Sequence, residues 1–200
     1  MTSQAQLRTH RDRYRDSLRR EILDAAREAF VRDGYGGVSM RYLAEKVGCS
    51  HGNLYLHFKD KETLFDCLVE ESFQQFADGL RAVPESTRRG DPVEFLRKAG
   101  RAYVAFGIAN ASAYEFAFIL RRPGREHRPG ITYERMRSAV QRCIDEKRFR
   151  RIDVDTASQA LWAAAHGITA LLISRPTFPW ADREKLIGRV IDAAVDGLLA

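Results

Sequence analysis

Between residues 39 and 61 the chain concentrates hydroxyl, imidazole, amide, phenol and ammonium groups: Ser39, Ser50, His51, Asn53, Tyr55, His57 and Lys61. Such groups donate hydrogen bonds to phosphate oxygens and to base edges, and they do so without any bond being broken. Catalytic chemistry needs a different arrangement. No His-Glu-x-x-His, no phosphate-cradling glycine loop and no Gly-x-Ser-x-Gly occurs in the chain. His51 and His57 stand six apart on a short helical pattern, so they do not share a face as two metal ligands must. The pattern excludes the common enzyme signatures and leaves recognition of an anionic polymer.

Two short helical stretches split by a glycine must hold these groups. Ser39 is suited to cap the first, in which Met40, Leu43, Ala44 and Val47 recur at helical spacing, and Gly48 stops it. Ser50 is suited to cap the second. That helix turns Leu54 and Phe58 inward, leaving His51, Gly52, Asn53, Tyr55 and His57 outward. The result is a helix-turn-helix whose second helix fits the major groove of DNA, its early residues at base edges. Asp60 caps a third helix and places Lys61 in its first turn, where a positive charge opposes the helix dipole. An isolated lysine there reads as a solvated surface charge. Beside this motif, the ammonium and the backbone N–H groups of the helix start read as an anion site.

The run Leu54-Tyr55-Leu56-His57-Phe58-Lys59-Asp60-Lys61-Glu62-Thr63-Leu64, preceded by Gly34-Tyr35 and Leu43-Ala44, resembles the DNA-binding domain of the TetR (tetracycline-repressor-like) family of transcriptional regulators. The resemblance spans roughly residues 18 to 70. It implies that Tyr55, His57 and Lys61 contact phosphates, that His51, Gly52 and Asn53 approach bases, and that Ser39 and Arg41 touch the flanking backbone. Two positions depart from the family pattern. Cys49 stands where a small branched apolar residue is usual, and Leu56 stands where a polar or aromatic residue is common, which puts a contact from position 56 in doubt.

The chain has 200 residues, 44% of them hydrophobic, enough for one good core or two small ones. A formal charge of +6 favours an anionic partner. Six arginines against two aspartates put four of those charges in the first twenty residues, so the excess lies next to the helix-turn-helix. That stretch reads either as an arm that reaches into a minor groove or as a solvating tail. No apolar run follows it, as a signal peptide would require, and none of about 18 residues suits a membrane span. Cys49, Cys67 and Cys143 are odd in number and lack metal spacing, which fits reduced packing thiols and a cytoplasmic protein.

Helical periodicity continues to the C-terminus with no strand pattern and no internal repeat. A first helix is expected from near Asp12 or Asp16 to Asp33, with Leu18, Ile22, Ala25, Ala26, Ala29 and Phe30 buried. A long helix follows Asp60. Its terminating loop runs from Val83 to Pro92. Later helices cover Pro92 to about Asn110, the aromatic stretch Tyr114 to Leu120, residues 131 to 148, one that Asp153 caps, and one from about Asp182. The loop from Arg121 to Gly130 reads as an exposed, solvated stretch. The last two helices are apolar nearly all round, which calls for burial on two sides and hence a partner surface.

Trp162 and His166 lie at i and i+4 on the first of these two helices and share a face. Spacing alone describes a core tryptophan with a satisfied core histidine. Trp-x-x-x-His-Gly also resembles the WHG-type C-terminal domain of a subset of TetR-like regulators, in which this helix borders an effector cavity. That resemblance implies a ligand site built on Trp162 and His166, with Tyr103, Phe106, Tyr114 and Phe118 as candidate apolar walls. An ordinary helical core would use the same aromatics.

The sequence therefore predicts an all-α fold of about nine helices. Residues 1–60 hold an N-terminal arm and a three-helix DNA-binding domain, 61–82 a connecting helix, and 92–200 an effector-binding and dimerisation domain. The expected function is that of a sequence-specific regulator, a repressor released from a palindromic operator by a small apolar or aromatic ligand, with no cofactor or metal. Double-stranded DNA, a small-molecule effector and a second copy joined through residues near 154–174 and 182–199 are its expected partners. An architectural DNA-binding protein without effector, or a helical enzyme retaining the motif, are the competing classes.

Overall fold

The computed structural model describes residues 2–81, 90–124 and 130–200, and side chains from residue 13 onward. Nine helices occur among them: α1 (Thr2–Gly37), α2 (Met40–Val47), α3 (His51–His57), α4 (Lys61–Leu80), α5 (Pro92–Ala109), α6 (Ala111–Phe118), α7 (Ile131–Asp145), α8 (Val154–Ser174) and α9 (Arg183–Asp196). Between Phe149 and Leu199 lies the one β-type pairing among the described residues, an isolated antiparallel bridge. None of the described helices is long and apolar enough to cross a membrane.

The first helix starts about ten residues earlier than the apolar stripe predicts. Helical backbone extends to Thr2, so the arginine-rich stretch continues the first helix, although its side chains before Arg13 lie outside the described residues. Periodicity marks only the part of a helix that is buried, and here burial begins at Leu18. Gly34, with φ of 69°, breaks the helix where the sequence places its end.

Two compact units divide the described residues. The first comprises Met1–Ser72 with Glu115–Arg125, the second Phe73–Tyr114 with Glu126–Ala200. This differs from a partition at residues 60, 82 and 92, because α4 and α6 each contribute to both units. Within the first unit the reason is an aromatic core. Phe116 sits 6.1 Å from Phe30 and 5.4 Å from Phe65, ring centre to ring centre, and the Arg27 guanidinium lies over its ring. Arg122 is held beside it on Asp66, 2.9 Å away, and on Glu62. With only 14% of its side chain exposed, Arg122 is an ion-paired anchor and not part of a solvated loop. The rest of that loop, residues 125–129, lies outside the described residues, as do 82–89 of the stretch after α4.

In the second unit, α5, α7, α8 and α9 enclose Val93, Phe95, Leu96, Val140, Cys143, Phe149, Leu161, Val195 and Leu198. Burial pushes the Cys143 thiol up to about 11, which makes it an inert packing group. Arg97 and Arg101 of α5 converge on Asp192 of α9 at 3.0 and 2.7 Å. At Gly107, a Cβ would fall 2.3 Å from the Thr169 methyl, so α5 and α8 approach at a distance only glycine allows.

Candidate nucleic-acid interface and effector site

Local capping positions the groups that the sequence leads one to expect at DNA. Ser39 Oγ accepts from the Tyr42 N–H at 3.1 Å, Ser50 Oγ from the Asn53 N–H at 3.2 Å, and Asp60 Oδ1 from the Thr63 N–H at 2.7 Å. Each satisfies a helix-start N–H that lacks an intrahelical partner. In each serine the cap uses a lone pair, so the hydroxyl proton stays available to a phosphate oxygen. Gly48 closes α2 in the left-handed conformation, φ 74°, which sets the turn between the two helices.

Ser39, Arg41, Ser50, His51, Gly52, Asn53 and Tyr55 are all exposed, and Leu54 is fully buried behind them. The His51 and Tyr55 rings meet edge to face at 5.0 Å, one turn apart. Arg41 is paired only with Glu45 on its own helix, 3.0 Å away and with 82% of its side chain exposed. Such a pair contributes little, and a phosphate can replace it. His57 is half-buried. Burial and then the charges of Arg15 and Arg19 hold it below its ordinary pKa, so in the free protein the ring is neutral at pH 7.

Lys61 differs from the expectation of a phosphate-directed ammonium. Its Nζ donates to the carbonyls of Tyr35 and Val38, both at 2.9 Å, and lies 4.2 Å from the centre of the Tyr35 ring. The charge at the α4 start is thus offset by two carbonyls at the end of α1 and by an aromatic face. At this helix start the backbone N–H groups, not the ammonium, carry the anion reading.

In the second unit the sequence-predicted ligand residues partly assemble. The Tyr114 hydroxyl lies 2.6 Å from His166 Nδ1, the Tyr103 hydroxyl 3.2 Å from the same atom, and the Trp162 indole N–H donates to Tyr103 at 3.4 Å. The Tyr114 hydroxyl also lies 3.3 Å from the His166 carbonyl. Which of the two groups donates in the hydroxyl–Nδ1 contacts depends on the imidazole tautomer. Burial lowers the His166 pKa, keeping the imidazole neutral, and pushes Tyr103 up to about 12. Phe106 is buried in the same unit. Phe76 of α4 packs on it at 5.3 Å and on Tyr103 at 5.1 Å.

One of the predicted walls falls elsewhere. Phe118 belongs to the first unit, because the division of α6 follows Tyr114. Trp162 is 40% exposed and packs edge to face on Tyr133 of α7, so it borders this cluster from outside the core. Phe76 and Tyr133 were missed by sequence reasoning. Phe76 carries a signal, since it continues the apolar stripe of α4, whereas nothing in the spacing of Tyr133 pairs it with Trp162. Among the described residues, no group of three or more His, Cys, Asp or Glu is placed to hold a metal ion.

Two stretches of the chain match known protein families. Residues 22–68 match the family described as bacterial regulatory proteins, tetR family, and residues 96–194 match the tetracyclin repressor-like C-terminal domain. The chain is 45% identical over 60 residues to the transcriptional repressor AcnR of Corynebacterium diphtheriae, a match covering 30% of this chain and 32% of that protein. Here, and in the three relatives ranked after it, the chain spans about a third of the relative's length. It is 27% identical over 185 residues to the transcriptional activator FasR of Mycolicibacterium smegmatis, covering 92% of this chain and 80% of that one. A tetR family structure from Shewanella sp. PV-4 superposes with a TM-score of 0.73 at 19% identity, over 92% of this chain and 98% of the other. With its helix-turn-helix and both of these matches, the chain belongs to the TetR family of DNA-binding transcriptional regulators.

Proposed function

We propose that the protein is a one-component repressor that binds a palindromic operator as a homodimer and leaves it when a small apolar or aromatic molecule binds the second unit. The observation that carries the reading is the outward polar face of α3. Its groups are exposed and held by capped helices, so their bonds to water can be exchanged for bonds to DNA at little cost. Tyr55, His57, Ser39, Ser50 and Arg41 are assigned to phosphates, and His51, Gly52 and Asn53 to base edges.

Dimerisation is supported by the outer face of α8. Ala160, Ala163, Gly167 and Leu171 follow one another at helical spacing, Leu171 is 49% exposed, and no atom lies within 4 Å of a Cβ placed at Gly167. Small residues around an exposed leucine suit close approach by the same helix of a second copy. Leu198, which the sequence also suggests for this surface, is buried in the chain's own core. The reading helices of a dimer would then meet successive half-sites one DNA turn, ~34 Å, apart.

For the effector, aromatic rings around an imidazole that burial keeps neutral suit a neutral or anionic molecule better than a cation, which would want buried carboxylates. Reducing operator occupancy tenfold takes only about 1.4 kcal/mol of differential affinity between two arrangements of the protein. Selection of bound fragments from genomic DNA tests the reading. A palindromic consensus, bound by a species that sediments as a dimer, is the expected result, and Leu171→Glu yields a monomer with weaker binding. A monomer at micromolar concentration, or binding without sequence preference, sinks it and favours an architectural protein. Repression is then read with a promoter carrying the consensus, because the relatives include both repressors and an activator.

A further inference from the structure

Leu56 stands out on α3. It is 71% exposed, whereas the other purely aliphatic or phenyl side chains of that helix and its C-cap, Leu54 and Phe58, are buried. At 100° per residue, Leu56 lies 200° round the helix from Leu54, and Gly52 lies 200° the other way. Gly52 and Leu56 are therefore one turn apart along the midline of the outward face. His51 and Tyr55 flank that midline on one side, Asn53 and His57 on the other. A Cβ at Gly52 would meet nothing within 4 Å, so its absence leaves a step in the helix surface immediately before the leucine.

We infer that Leu56 reads the C5-methyl group of a thymine in each half-site. This rests on the DNA-binding reading of α3. With polar groups on both sides committed to phosphates and base edges, the midline residue enters deepest into the groove. A leucine there has no donor or acceptor. Facing a guanine, an adenine or the cytosine amino group, it would strip water from a polar edge and return no hydrogen bond. The thymine methyl is the one apolar feature of the major-groove floor, and burying it against leucine is favourable. The glycine step lets the helix backbone come close enough for that contact.

The test uses the full-length protein and its selected operator, with each thymine in turn replaced by uracil, which removes the methyl and nothing else. At one thymine position per half-site, wild-type affinity falls about fourfold per half-site, the effect of losing one buried methyl. Leu56→Ala binds the all-thymine operator more weakly, keeps the same melting temperature because the side chain is exposed, and is indifferent to uracil at that position. Leu56→Met, which restores apolar reach, recovers the uracil penalty. If wild type is indifferent to every uracil, or if Leu56→Ala retains the full penalty, the assignment is wrong and Leu56 is a surface leucine. A wild-type protein that selects no sequence overturns the DNA-binding reading itself, a result distinct from either.

Discussion

The outward face of α3 and the cluster around His166 both gather aromatic and imidazole groups, yet their polar atoms are in opposite states. On α3 they face water, and the hydrogen bonds that hold the helix in place are made by caps at its ends. Around His166 the hydroxyls of Tyr103 and Tyr114 and the indole of Trp162 are already joined to one another and to the ring. An exposed site is built for a partner with its own dense array of charges. A buried, internally satisfied cluster admits a ligand only if that ligand replaces the bonds it breaks. The difference predicts opposite responses to the same kinds of substitution.

The largest expected contrast is between two glycines. Gly107→Ala drives a Cβ into Thr169, which is fully buried and holds its rotamer through a 2.7 Å bond from Oγ1 to the Ala165 carbonyl, so it cannot swing aside. A loss of about 1–3 kcal/mol in urea unfolding is expected for such overpacking. Gly52→Ala meets open space in the first turn of α3 and should stabilise by no more than about 0.5 kcal/mol while weakening operator binding. If both variants change stability alike, the contrast between the two regions is false.

Two cations on the DNA-binding unit give the next contrast. Lys61→Ala removes the donor to two carbonyls and a cation over the Tyr35 ring, and should destabilise by about 1–3 kcal/mol with little change in the salt dependence of DNA affinity. Arg41→Ala should leave the melting curve alone and flatten the slope of log K against log salt by about 0.9. Equal slopes for the two variants would restore Lys61 as a phosphate ligand.

The smallest effect is in pH. His57 and His166 are both held below the ordinary histidine value of 6.5, chiefly by burial. The stability each contributes is therefore present above the unfolded pKa and lost as pH falls through 6.5 toward the lowered folded value. Replacing His166 by Gln should flatten thermal stability between pH 7 and 5. DNA acts in the other direction on His57. Nearby phosphates favour the imidazolium, so operator affinity should rise as pH falls below 6.5, and His57→Gln should abolish that rise.

Much of the DNA-binding unit was legible in the residues. Ser39, Gly48, Ser50 and Asp60 act through bonds to neighbours three to five positions away, and Leu54 and Phe58 are placed inward by helical period alone, so spacing suffices to place them. The helix-turn-helix pattern already pointed to DNA, and the family resemblance added the division of its residues between phosphates and bases. The fate of Lys61 was not legible, because Tyr35 and Val38 are 26 and 23 residues distant and their carbonyls look like any others in a sequence. Sequence also could not show that Arg122 would anchor on Asp66, or that Tyr114 and Phe118 of one short helix would fall in different units.

By itself, then, the sequence determined the helices, their caps, the turn between α2 and α3 and the outward set His51, Gly52, Asn53, Tyr55. All of these follow from interactions within a turn or two of helix. Tertiary structure alone decided which charges are spent inside the protein and which aromatics surround His166. Those outcomes depend on which distant segments pack together, and packing between segments leaves no mark on the local period of either one.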